Sequence, residues 1–465
     1  MVHAHLIGIG GSGLSAIARI LLEEGYEVSG SDLERSDYAI VLEKMGAEVF
    51  TGHRAEQIKG ADFILLSSAI PPNNVELLAA EQSDIPIYRR SEFLGDLTAN
   101  KFCIAVAGTH GKTTTTAMIS WMLSELEQDP SYIIGGVSKN LATNAHAGKG
   151  QSFVIEADEY DRMFLGLRPQ LAVVTNIDHD HPDIFPTEQD FFNAFMDFVH
   201  GIRDQGYLLA CSDDIRTSEL VEIAAKESRI KIYSYGLDMN RGDTPPGYVG
   251  RNLTINENGS FNYEVFFHEE FLVEVNLSVP GMHNVRNSLA SLAVANIMDL
   301  PLAEAASALS EFQGTERRFE IRGEVSGVTI IDDYAHHPTE IKATLEAAHL
   351  RYPNRSLWAV WQPHTYSRTE ELFDEYLDSF EQADHVLITE IYPSREKYRD
   401  DISAVKLAQA MEHNDAKFLP GKFQVVDYLM NYLAPGDVLL VLSAGDANQI
   451  SSMVYERLSL NGNAK

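Results

Sequence analysis

An apolar run over 102–107, a glycine-rich turn and an amphipathic stretch over 113–126 follow one another without interruption. The turn reads Ala107-Gly108-Thr109-His110-Gly111-Lys112-Thr113-Thr114. A short apolar run ending in glycine predicts a buried strand, and the spacing after it predicts a helix. A parallel α/β layer carries such a junction at the carboxyl edge of its sheet, where the helix N-terminus and successive backbone amides face outward. That geometry suits phosphate: amides surround a β-phosphate, a lysine neutralises β/γ charge and a hydroxyl ligates magnesium. Gly108, Thr109, His110, Gly111, Lys112, Thr113 and Thr114 are therefore read as ATP ligands, with Lys112 catalytic and Thr113 on the metal. The strict Walker pattern departs at one place, where Val106 stands for its first glycine.

The same strand-to-helix alternation starts three times. The first series has apolar runs at 6–9, 27–29, 48–50 and 63–67 with helical stretches at 14–22, 38–45 and 75–81, and it stops near position 87. The second starts at 102 and adds strands at 153–156 and 171–175. Between 236 and 279, short alternating runs parted by Pro245-Pro246-Gly247 and Asn258-Gly259 predict a β-meander, and helices over 284–298 and 302–312 follow. Beyond a polar connector at 314–318, the third series has strands at 328–332, 357–361 and 385–389 and helices at 339–350 and 370–381. A chain of 465 residues holds about three domains at roughly 150 residues each. The fold class is read as α/β with three domains: Rossmann-like over 1–98, a central P-loop ATPase domain with the β-meander over 99–315, and Rossmann-like over 316–465. Residues 461–465 read as a frayed tail.

Lys and Arg total 36 against 68 Asp and Glu, a formal charge of −32. Such a surface repels phosphate backbones and anionic lipid, so neither nucleic acid nor membrane is expected as a partner. No apolar run approaches the ~20 residues that span a bilayer, and a cytoplasmic protein is expected. Cys103 and Cys211 lack metal-ligand spacing and read as buried small apolar residues.

Gly8-Ile9-Gly10-Gly11-Ser12-Gly13 also joins a strand to a helix, and Asp32 ends the next strand. This is the context of a dinucleotide fingerprint: Gly10, Gly11, Ser12 and Gly13 admit a diphosphate to the helix N-terminus, and Asp32 accepts from a sugar hydroxyl. The plain alternative is a structural glycine turn. No second half-site follows before the phosphate loop, so a single nucleotide diphosphate such as a UDP-sugar fits the length better than NAD. Two acidic clusters, Glu156-Ala157-Asp158-Glu159-Tyr160-Asp161 and Asn176-Ile177-Asp178-His179-Asp180-His181, follow strands of the phosphate-loop sheet. Carboxylates and an imidazole there suit a magnesium shell, against the alternative of solvated acidic loops. Gly281-Met282-His283-Asn284-Val285-Arg286-Asn287 opens a helix whose amides could read adenine. In the third series, Asp332-Asp333-Tyr334-Ala335-His336-His337-Pro338 and Gln362-Pro363-His364-Thr365-Tyr366-Ser367-Arg368 end adjacent strands and bring Asp, His, Tyr and Arg to one rim, where a carboxylate or phosphate is held well. Zinc is disfavoured there, since adjacent His336 and His337 point apart.

Together these segments resemble the Mur ligases of peptidoglycan synthesis over nearly the whole chain. The resemblance implies a UDP-binding first domain, an ATPase in the middle, and a last domain that binds the incoming amino acid and closes over ATP. It is strongest for the branch that joins L-alanine to the carboxylate of UDP-N-acetylmuramate through an acyl phosphate. It implies ATP and magnesium, or manganese in its place, small-molecule partners only, and a monomer or homodimer. By the same resemblance Glu159 and His181 complete the metal shell begun by Thr113, Asn284 and Asn287 lie near adenine, and Asp333 takes the ribose. Ser67 and Ser68 join the first glycine loop at the UDP substrate. Tyr334, His336, His364 and Arg368 surround the amino acid and the muramate carboxylate, with His336 or His364 as the base on pKa grounds. Two alternatives stay open: a recycling branch that adds a tripeptide to the same acceptor, and a UDP-sugar-binding protein without catalysis. An NAD-dependent oxidoreductase is opposed by the phosphate loop.

Overall fold

In the first of three sheets five parallel strands run in the order Glu48–Thr51, Glu27–Asp32, His3–Ile7, Phe63–Leu66, Ile87–Arg89. This order leaves a crevice at the carboxyl end of His3–Ile7, where the chain reverses its direction of winding. The computed structural model describes residues 1–226, 229–237 and 247–462. Within them the second sheet has ten strands, ordered Glu270–Asn276, Phe261–Phe267, Tyr248–Ile255, Lys231–Leu237, Tyr207–Cys211, Leu171–Val174, Phe102–Ala107, Ser152–Glu156, Ser131–Ser138, Thr143–His146. The third has six, ordered Glu320–Val325, Val328–Asp333, Val438–Leu442, Leu357–Trp361, His385–Ile388, Ala416–Phe418, of which only the first pair is antiparallel.

Strands covered on both faces read as unbroken apolar runs, and Phe102–Ala107, Leu171–Val174 and Val438–Leu442 do so because helices pack on either side. The meander is different. Tyr248–Ile255, Phe261–Phe267 and Glu270–Asn276 pair antiparallel, and along Phe261–Phe267 buried and half-buried residues alternate, so only one face is fully covered. It extends the central sheet through Lys231–Leu237 rather than standing apart. The turn signal Pro245-Pro246 lies outside the described residues. Asn461 and Gly462 continue the helix Gln449–Gly462 instead of fraying, and 463–465 lie outside the described residues.

Three local readings are corrected. The first series does not stop near 87, because strand Ile87–Arg89 and helix Arg90–Thr98 follow it. A strand pair, Ser131–Ser138 with Thr143–His146, edges the central sheet where no strand was read. The helix expected over 370–381 is two short ones, Tyr366–Glu371 and Phe373–Leu377, parted at Leu372. It starts early because the Thr365 hydroxyl caps it by accepting from the Arg368 amide, and this turns Arg368 toward the central domain. Among the described residues, no helix is long and apolar enough to cross a membrane.

Candidate active site

The phosphate loop is bound tightly to the next strand end of its sheet. The His110 amide donates to Asn176 Oδ1 at 2.8 Å, and the His110 carbonyl accepts from Thr175 Oγ1 at 2.6 Å and Asn176 Nδ2 at 3.0 Å. Gly108 has φ +137°, and a Cβ there would collide with the Thr175 hydroxyl. Lys112 Nζ folds back over the loop, donating to the carbonyls of Gly108 and Thr109 at 2.6 and 2.9 Å and to Glu159 Oε1 at 2.8 Å.

From Lys112 a chain of charged contacts crosses into the third domain. Glu159 Oε1 lies 3.8 Å from His181 Nε2, which lies 3.7 Å from Asp180 Oδ2. Asp180 Oδ1 accepts from Nε and lies 2.8 Å from Nη2 of Arg368, whose Nη1 sits 3.1 Å from His364 Nδ1. Glu159 is 1% exposed and its Oε2 has no hydrogen-bond partner. Thr113 Oγ1 donates to Glu156 Oε1 at 3.1 Å. The unpartnered buried oxygen of Glu159, with the His181 imidazole 3.8 Å from its other oxygen, offers donors that fit an oxygen-seeking divalent cation such as magnesium.

A cavity of about 490 Å³ opens between the central and third domains, of a size that suits a nucleoside. His110, Gly111, Thr114, Asn284, Asn287 and Asp333 line it together. His283 and Arg286, from the segment read as facing adenine, line it too, and so does Cys211, to which the sequence gives no such role. Both cysteines are free and buried, as expected. Burial lowers the His283 pKa to about 4, while Arg286 is held by Asp213 at 2.6 Å. Asp333 differs from its expected posture. Its Oδ2 accepts from the Phe319 amide at 2.6 Å and its Oδ1 from Ala335 at 2.7 Å, and burial raises its pKa to about 6. Tyr334 is covered by Arg317 and Arg318, 4.9 and 5.0 Å from its ring centre.

One contact between domains had not been read from sequence. His110 Nε2 lies 3.2 Å from Asp178 Oδ2 and its Nδ1 3.2 Å from Glu340 Oε1, at the start of helix Pro338–Arg351. Burial lowers the His110 pKa, but the hydrogen bonds of Asp178 and Glu340 outweigh it and raise the pKa to about 9. His337 also approaches this pair, yet with both His110 nitrogens on carboxylates the trio is an ion-pair cluster rather than a metal cage. The signal for Glu340 was present, since His337-x-x-Glu340 before a helix is a capping box.

The pKa ground for a histidine base fails in this arrangement. Burial, with Arg368 adding to it, lowers His336 to about 3 and His364 to about 4, so both are neutral and weakly basic at neutral pH. The fork of Arg368, 4% exposed, is already on Asp180.

The first glycine loop is held within its own domain. Gly10 donates to Asp32 Oδ2 at 2.9 Å, so one Asp32 oxygen holds the loop, while Oδ1 accepts from the next residue's own amide, Leu33, at 2.7 Å. Gly11 and Ser12 are exposed, Gly13 is half-buried, Ser67 packs against Gly8, and Ser68 is exposed on the same rim.

Three family domains match in sequence: the Mur ligase family catalytic domain over 3–102, the Mur ligase middle domain over 106–295, and the Mur ligase glutamate ligase domain over 317–445. UDP-N-acetylmuramate–L-alanine ligase of Clostridium acetobutylicum is 41% identical over 97% of this chain and 97% of its own length. The enzyme of that name from Salinibacter ruber is 41% identical over 98% and 95%. The crystal structure of UDP-N-acetylmuramate–alanine ligase from Thermotoga maritima superposes with a TM-score of 0.83 at 26% identity, covering 100% of both chains. A murein peptide ligase from Psychrobacter arcticus gives 0.74 at 26% identity over 99% of both. With all three domains matched in order and relatives alike from end to end, the chain belongs to the Mur ligase family of enzymes.

Proposed function

We propose that this chain joins the amino group of L-alanine to the carboxylate of UDP-N-acetylmuramate, with hydrolysis of ATP to ADP and phosphate, in the cytoplasm. The observation that carries the reading is the continuous contact from Lys112 through Glu159, His181 and Asp180 to Arg368. It links a phosphate loop to a cationic rim built for a carboxylate. The relatives named for this reaction support it at 41% identity. On this reading 1–98 binds the UDP-sugar, 99–315 binds ATP, and 316–465 brings the amino acid.

A carboxylate is a poor electrophile, so an acyl phosphate forms first: a carboxylate oxygen attacks the γ-phosphorus and ADP leaves. The amine, its ammonium proton lost to water, then attacks the carbonyl, the C–O bond to phosphate breaks, and the second nitrogen proton leaves with the phosphate. Lys112 neutralises charge on the transferring group and moves off the Gly108 and Thr109 carbonyls to do so. Thr113, Glu159 and His181 would hold magnesium, which when bound supplies positive charge at the phosphate oxygens. Asn284, Asn287 and the cavity wall hold the nucleoside, and Asp333 positions the Phe319 and Ala335 amides beside it. Asp180 holds the Nε and Nη2 of Arg368 and His364 its Nη1, so on this reading an incoming carboxylate takes the place of Asp180 on the guanidinium. Neutral His364 accepts from Arg368 and orients it rather than taking the amine proton.

The test is phosphate release from ATP with UDP-N-acetylmuramate and magnesium, with L-alanine, L-alanyl-γ-D-glutamyl-diaminopimelate or neither. Alanine-dependent release is expected. Preference for the tripeptide would move the chain to the recycling branch, and no release with either would leave a binding protein.

A further inference from the structure

The short helix Tyr366–Glu371 aims Arg368 at the central domain, and it starts from a strained turn. Thr365, a β-branched residue, has φ +67°, a left-handed value that such residues rarely adopt. Its amide is held by the Tyr392 carbonyl at 2.9 Å, and its hydroxyl reaches the Arg368 amide at 3.4 Å. The first amides of a helix have no acceptor within it. Those of Tyr366 and Ser367 donate instead to Glu396 Oε2, at 2.6 and 3.1 Å, and the Ser367 hydroxyl donates to Glu396 Oε1.

Glu396 belongs to a strap over 393–401 that follows strand His385–Ile388, and the strap is fixed on two sides. Its Arg399 Nη1 lies 2.8 Å from Glu370 Oε2 of the helix that Glu396 caps. Its Arg395 stacks over the Tyr160 ring of the central domain, 5.3 Å from the ring centre, and donates to the Tyr160 hydroxyl at 3.4 Å. That ring stands edge-on to His181, 5.0 Å away. A half-buried carboxylate so placed, with an oxygen on two backbone amides, is a cap built into the rim rather than a solvated surface charge.

The exchange at Arg368 needs such an anchor. When a substrate carboxylate takes the place of Asp180, Arg368 loses the contact that orients it from the central domain. Its aim then depends on His364 and on the turn at 365–367. Without Glu396 that turn would hold two unsatisfied amides and a left-handed φ free to relax.

We propose that Glu396 is a positioning residue of the ligase reaction: by capping the turn at 365–367 it keeps Arg368 aimed at the substrate carboxylate while Asp180 is displaced. The carboxylate and the reaction rest on the function proposed above; the cap rests on the geometry.

Hydrogen exchange over 364–372 in the ligand-free chain and steady-state ligation test this in Glu396→Ala, Glu396→Gln, Arg368→Lys and the double variant of Glu396→Ala with Arg368→Lys. Glu396→Ala should speed exchange of that segment about fivefold or more, the scale of a lost helix cap. It should raise about three- to tenfold the KM of the same substrate that Arg368→Lys affects, with the KM for ATP unmoved. Glu396→Gln should stay within about threefold of the wild type in both measurements, because its amide oxygen still accepts from both amides and the Ser367 hydroxyl can turn to accept from its nitrogen. In the double variant the second change should add less than about twofold, since both changes remove one interaction. If Glu396→Ala does not fold, Glu396→Asp, one methylene short of the amides, takes its place.

Unchanged exchange overturns the proposal, as does faster exchange with every KM kept. Losses that multiply in the double variant overturn it too. So does Glu396→Gln as impaired as Glu396→Ala, which would place the charge itself on a substrate. If the wild type ligates alanine while exchange in the variants is unchanged, only the Glu396 assignment falls. If exchange responds as expected but the wild type ligates neither alanine nor the tripeptide, the cap stands and the proposed function falls.

Discussion

The two glycine-rich loops begin alike, each after a buried strand and each opening a helix, and they are held in opposite ways. The first is fixed at Gly10, by its amide on Asp32 and its carbonyl on the Ser36 hydroxyl, and all of these groups come from its own domain. The second is gripped along its length by Thr175 and Asn176, filled by its own Lys112, and closed from above by Glu340 of another domain. A loop held by its own domain is ready for a ligand whatever the rest of the molecule does. A loop completed by a neighbouring domain has its shape tied to how that domain docks. The first therefore suits a substrate that binds before closure, and the second suits the nucleotide whose chemistry must wait for it.

The largest test of this contrast is Lys112→Ala. Lys112 fills the second loop and faces Glu159, and its loss should lower turnover at least ~100-fold, the scale of one transition-state charge partner, with UDP affinity untouched. Near wild-type ligation by the folded variant would remove the phosphate loop from the chemistry.

A matched pair of alanine variants comes next. At Gly108 the backbone occupies φ +137° and the new Cβ meets the Thr175 hydroxyl that holds the His110 carbonyl. At Gly10 the new Cβ meets Asp32 Oδ2 at 2.9 Å, the end of a side chain that can turn aside. Gly108→Ala should weaken ATP by about tenfold or more, since strain in that φ region costs on the order of 1–3 kcal/mol, whereas Gly10→Ala should change UDP affinity by less. Equal losses measured by titration would mean the loops are equally rigid.

The contrast also explains how far the sequence could be read. Phe102–Ala107, Val75–Glu81 and Leu357–Trp361 were legible to the residue because continuous apolar runs and helical spacing are local signals. The helix Arg90–Thr98 was missed because its face is mostly polar and its partner, Tyr160–Gly166, lies far along the chain. The glycines, Lys112, Glu159 and His181 stood out because their residue types carry chemistry at fixed spacing. Asp180 did not, because its significance lies in what faces it, Arg368 of another domain. The basicity of His336 and His364 was misjudged for a related reason: the ordinary histidine value is a property of water, and burial removes it.

A smaller effect is expected at Arg368, whose fork engages Asp180 and His364 together. Arg368→Lys keeps the charge but offers one point instead of a plane, so steady-state assays should find the KM of the amino acid or the muramate nucleotide raised about tenfold. The KM for ATP should hardly move. Unchanged kinetics would take Arg368 out of the substrate rim.

The smallest effect is the pH response of the contact that closes the second loop. His110 has its pKa raised to about 9 from the ordinary 6.5, so its charged form is favoured by the docked state. That stabilisation is complete below about pH 6.5 and is lost as pH rises through about 9. Asp178, lowered to about 2, and Glu340, held well below the usual carboxylate range, stay ionised throughout, and His337, lowered by burial to about 4, stays neutral. When His110 loses its proton, Asp178 and Glu340 face each other across the domain boundary with one fewer cation between them, and docking should loosen. Turnover is a poor gauge, because alanine's own amine deprotonates in the same range. Small-angle scattering of the ligand-free chain between pH 7 and 9.5 reads the docking directly. The radius should grow with a midpoint near pH 9, while His110→Gln should be expanded at pH 7 and show no such step. The same step in both proteins would show that another group sets the response, and the second loop would then be no more dependent on its neighbour than the first.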